Sequence, residues 1–86
     1  MKNDDIKERI DQIEQEINIL TKQRATLFDE WVDLVKRNDR EFELQGKTSP
    51  TLEKKADYLL KSQKEISKKI IKLVTESENL EERLLL

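Results

Sequence analysis

Cysteine and histidine are both absent from this chain of 86 residues. Their absence removes disulfides, thiol nucleophiles, imidazole bases and the usual zinc and haem ligands together. Carboxylates alone can hold a metal, but no loop gathers them at a calcium-type spacing, so no metal or other cofactor is expected. Glycine and proline occur once each, as Gly46 and Pro50, so nothing outside that short stretch need interrupt a helix. Charge of one sign is not in excess either. A formal charge of −2 gives no polyanion-binding signature, and nucleic acid is not an expected partner. No long apolar run is present, and Met1, Lys2, Asn3, Asp4 and Asp5 open the chain with charge. Neither a signal peptide nor a membrane partner is expected from that pattern, and the expected location is cytoplasmic, although export by a leaderless route would leave no such mark.

What the chain has is charge and regular spacing. Charged residues make up 42% and apolar ones 35%, a balance that suits either disorder or long helices. The spacing decides for helices. From Ile6 the apolar residues alternate four and three apart through Ile10, Ile13, Ile17, Leu20, Leu27, Trp31 and Leu34, with Arg24, Asn38 and Glu41 keeping the rhythm as polar members. With Ile10 taken as heptad position a, this is a coiled-coil seam of a and d positions. The same rule returns from Leu52 through Ala56, Leu59, Gln63, Ile66, Ile70, Leu73, Ser77, Leu80 and Leu84.

Between the two seams, Gly46 is placed to close one helix in the left-handed conformation, and Ser49 to cap the next with Pro50 in its first turn. The expected fold is therefore all-α: an antiparallel, coiled-coil-like two-helix hairpin forming a single domain over 1–86, with helices over about 4–45 and 51–85 and a turn at 46–50. A turn centred between Thr48 and Ser49 predicts facing layers in which Asn38 meets Leu59, Leu34 meets Gln63, Trp31 meets Ile66, Arg24 meets Leu73 and Ile17 meets Leu80. In those layers each polar seam residue faces an apolar one. Glu41, Asn38, Gln63, Arg24 and Ser77 would then have to reach water or a second chain.

The flanks of the seam are unlike. The e side carries Phe28, Val35, Phe42, Leu60 and Val74, whereas the g side carries charged residues such as Arg9, Glu16, Glu30, Arg37, Lys69 and Glu76. A two-helix hairpin cannot cover its own e-side edge, so that edge is expected to pack against another hairpin, as a four-helix homodimer. Charge is also zoned along the chain. Residues 1–20 carry six acids against three bases and residues 76–86 four against one, so both chain ends are acidic, whereas residues 51–75 carry seven lysines against three acids.

Several residues have two readings each. Trp31 is either core packed on Ile66, with its indole N–H reaching Gln63, or an anchor in a partner's pocket, and it joins the partner-binding set of Phe28, Val35, Phe42, Leu60 and Val74. Arg24 either meets an anion or lays its stem over Leu73. Asn38 and Gln63 either select register and oligomer state, with Arg24, or stand in solvent. Lys61, Lys64, Lys68 and Lys72 share one outer face of the second helix, which is expected to be solvated.

Two resemblances bear on function. The run at 10–24, IDQIEQEINILTKQR, resembles the first helix of the all-helical chorismate mutases, and Asp39, Arg40 and Glu41 are similar to a later motif there. That resemblance implies a dicarboxylate clamp to which Arg24, Arg40 and Glu41 would contribute, although Val35 stands where the family has a lysine. The two-helix outline resembles the small hairpin proteins of type VII secretion, without their Trp-x-Gly turn. The expectation drawn from the residues is a non-enzymatic adaptor or small regulatory protein that binds itself. A chaperone or targeting partner of a larger helical protein stands second, and a chorismate-mutase-like enzyme third.

Overall fold

A computed structural model describes residues 3–86; Met1 and Lys2, the first two residues of the charged start, lie outside the described residues. Two helices account for nearly all of it: α1, Asn3–Gln45, and α2, Pro50–Leu85. They pack along each other in a body of 64 × 15 × 14 Å. Asp4 and Asp5 occupy the first turn of α1, where negative charge complements the helix dipole.

The connection is built from the residues whose chemistry suits it. Gly46 adopts φ 73° and donates its N–H to the Phe42 carbonyl at 2.8 Å, which closes α1 with a left-handed cap. Ser49 is extended, at φ −88° and ψ 117°, and its hydroxyl accepts from the Leu52 N–H at 3.4 Å. Pro50 follows in the first turn of α2, where its missing N–H leaves no bond unmade.

The register differs from the one expected of a turn centred between Thr48 and Ser49. Asn38 meets Ser49 instead of Leu59, and Arg24 meets Ser67 instead of Leu73. The second helix is thus displaced by nearly two turns toward the open end, and the last two turns of α1 overhang the start of α2. The reason lies at the open end. In the expected register no residue of α2 lies opposite Ile6 and Ile10. In the observed one they close with Ile13 and Leu80 into the core cluster, with Ile17, Leu73 and Leu84 packed against it. Burying each of those two isoleucines stabilises the hairpin by about 1.5–3 kcal/mol.

The core is therefore lopsided. Four of the five buried side chains among the described residues, Ile6, Ile10, Ile13 and Leu80, sit at the open end, and only Leu59 is buried toward the turn. Ile13 alone among them is fully enclosed.

Candidate interaction surface

Phe28, Val35 and Phe42 recur every seven residues on α1, and Leu60 and Val74 fall at the same heptad position on α2. In an antiparallel pair the e positions of both helices line one side of the seam and the g positions the other. The g side carries charge, with an ion pair across the helices at the open end. Arg9 donates from Nε and Nη2 to the two carboxylate oxygens of Glu76 at 2.6 and 3.0 Å, and Glu16 lies 3.6 Å from the same guanidinium. The hydrogen bond from Arg9 holds the Glu76 carboxyl below the ordinary glutamate range, against the opposing effect of desolvation. The same bond raises Arg9 above its ordinary value.

The e side is apolar and exposed. Phe28 is 49% exposed, Phe42 55%, and Leu60 and Val74 39% each, while Val35 is half-buried. Trp31 is half-buried next to this edge, its ring 5.9 Å from that of Phe28 at an interplanar angle of 31°. Two further residues belong to the surface and were not singled out from the sequence. Ile71, 65% exposed, lies one turn from Val74, and Val32 lies between Phe28 and Val35 on α1. Both occupy b positions, which adjoin e on a helix, and that adjacency was the available signal.

Of the five polar seam residues, Arg24, Asn38 and Gln63 find partners inside the hairpin, contrary to the expectation that they must reach water or another chain. Asn38 Oδ1 accepts from the Ser49 N–H at 2.9 Å, Arg24 Nη1 donates to Ser67 Oγ at 3.3 Å, and Gln63 Nε2 donates to the Leu59 carbonyl at 3.3 Å. For Arg24 and Asn38 the displaced register causes this, since it brings the small hydroxyl residue and the turn to them in place of Leu73 and Leu59. Gln63 directs its amide N–H to the carbonyl of the preceding helical turn. No buried side-chain nitrogen or oxygen lacks a hydrogen bond among the described residues.

Elsewhere the surface offers open grooves. On the g side Glu16, Ile19, Leu20, Lys69, Lys72 and Leu73 line one of about 420 Å³. Arg24 and Arg40 are separated by about 24 Å along a single helix, so one hairpin does not bring them around a common ligand. Among the described residues no cluster of acidic side chains is arranged to hold a metal ion, and no helix is long and apolar enough to cross a membrane.

Fold and surface together define a class: an all-helical two-helix hairpin with one charged edge and one apolar edge. Compared with known proteins, the chain matches no family model, no curated protein and no solved structure.

Proposed function

We propose that this chain is a non-enzymatic interaction module that self-associates through its e-side edge into a four-helix bundle and serves as an adaptor or small regulatory binding protein. The observation that carries the reading is the exposure of Phe28, Phe42, Leu60 and Val74 along one edge of the hairpin, whose other edge carries charged residues, the Arg9–Glu76 pair among them. Area supports it. The hairpin exposes 6920 Å², whereas a compact monomer of 10.3 kDa exposes about 5,400 Å². The excess is about 1,500 Å², and a standard interface covers roughly 800 Å² of each partner. Burial of the edge drives association, and the polar groups flanking it set geometry.

The test is solution mass by light scattering behind a sizing column. The expected mass is twice that of the 10.3 kDa chain. Changing Val35 and Leu60 together to Glu should reduce it to one chain, while Ile19→Glu, on the opposite side of the seam, should leave it unchanged. A double variant that remains dimeric overturns the assignment of the edge. A wild-type chain that is monomeric at every concentration favours a larger helical protein as the partner, the place a secretion chaperone or targeting factor would fill.

A further inference from the structure

Resting on the self-association proposed above, we infer that the two hairpins lie antiparallel, with the open end of each beside the turn of the other and the two-fold axis crossing the edge near Phe28 and Leu60. The apolar surface has its middle there. It runs from Val74 and Ile71 on the open-end side, through Phe28, Leu60 and Val32, to Val35 and Phe42 on the turn side. Rotation about an axis through that middle lays the surface on itself. A two-fold axis along the bundle also does so, giving a parallel pair, and the apolar residues do not distinguish the two arrangements.

Charge distinguishes them. The register brings residues 1–20 and 76–86 together at the open end, which then holds ten acids against four bases, while residues 21–75 hold nine acids against thirteen bases. A parallel pair sets two such acidic ends side by side. The edge itself sharpens the conflict, because the apolar residues give way there to Asp11, Glu14, Glu78 and Glu81, all exposed, with Lys7 the one base among these flanking positions. Like charges facing across an interface raise its energy and suppress that pairing. An antiparallel pair moves the two acidic ends to opposite extremes of the bundle. Each then flanks the partner's turn region, residues 39–57, where five acids stand against four bases, a near balance in place of a second acidic end. The lysines of mid-α2 do not oppose the arrangement, since Lys61, Lys68, Lys69 and Lys72 lie off the apolar edge and only Lys64 borders it.

The chain has no cysteine, so single-cysteine variants accept a spin label at one chosen place. Lys47→Cys marks the turn and Glu8→Cys the open end, both at exposed positions, and helix content by circular dichroism checks that each folds. Pulsed dipolar spectroscopy on dimers of one labelled variant should return about 50 Å between turns and about 60 Å between open ends, from the rise of a helix on either side of Phe28. Dimers mixed from the two variants should show a short distance, below about 25 Å. The parallel arrangement reverses both results: short distances in each homodimer and a long one in the mixture. That reversal overturns the inference and leaves the self-association intact. Absence of any dipolar coupling in all three samples overturns both.

Discussion

Asn38 occupies a seam position that most coiled coils give to an apolar residue, and here it accepts the N–H of Ser49, eleven residues on. The bond ties the incoming strand of the turn to the side of α1. Removing it leaves a half-buried donor unpaired, which costs about 1–3 kcal/mol. Asn38→Ala should therefore lower the thermal midpoint seen by circular dichroism, whereas Asp39→Ala, one residue further on and exposed, should change it little. Glu76 makes a second prediction at this scale. Its carboxyl titrates below its unfolded value because Arg9 holds the charged form, so its contribution is present above the ordinary glutamate value of about 4.3 and is lost as pH falls through the lower folded value. In urea titrations at a series of pH values, the stability gap between wild type and Glu76→Gln should be full at neutral pH and close on acidification below about pH 4. A gap independent of pH would remove the ion pair from the account of the open end.

At the scale of the element, the two helices are nearly uniform in pattern and unequal in burial. The open half holds the core cluster, whereas exposed large apolar side chains are spread over both helices, Phe28 and Phe42 on α1 and Leu60, Ile71 and Val74 on α2 among them. Ile13→Ala removes the side chain that alone among the described residues is fully enclosed and should cost about 2–5 kcal/mol, enough to unfold much of so small a domain. Phe28→Ala, at a half-exposed position on the edge, should leave the fold of a single hairpin nearly intact and act on association instead. Chemical denaturation combined with sizing separates the two effects. The helices themselves, their ends within a residue or so, and the roles of Gly46 and Ser49 were all legible in the sequence, because a single Gly and a single Pro in a chain of even heptads leave one place for a turn.

For the whole molecule, 64 Å long and 15 Å wide, shape is the dominant fact. A rod of two helices buries little, so stability should rise with anything that covers its apolar edge. If a second copy does so, the thermal midpoint increases with protein concentration. The emission of Trp31, the single tryptophan, should shift toward the blue over the same concentration range, as its neighbour Phe28 loses water. The aromatic cluster at Phe28 and Trp31 was visible in the sequence as two residues three apart. Its half-exposed state follows from packing, because one partner helix covers only the a and d stripe and not the flank next to it.

By itself the sequence determined two long helices, the turn that joins them, the faces they turn to each other and the unlikeness of their two edges, since all of these follow from local propensity and a period of three and a half residues. Only the tertiary structure decided the register. A heptad seam slid along its partner by whole repeats still matches a with d, so the pattern is blind to the slide. The choice was made by burial at the open end, where Ile6 and Ile10 gain Leu80 and Leu84 as neighbours. That choice also placed Ser67 beside Arg24 and the backbone of Ser49 beside Asn38, turning two residues that look unpartnered in the sequence into internal ties of the hairpin.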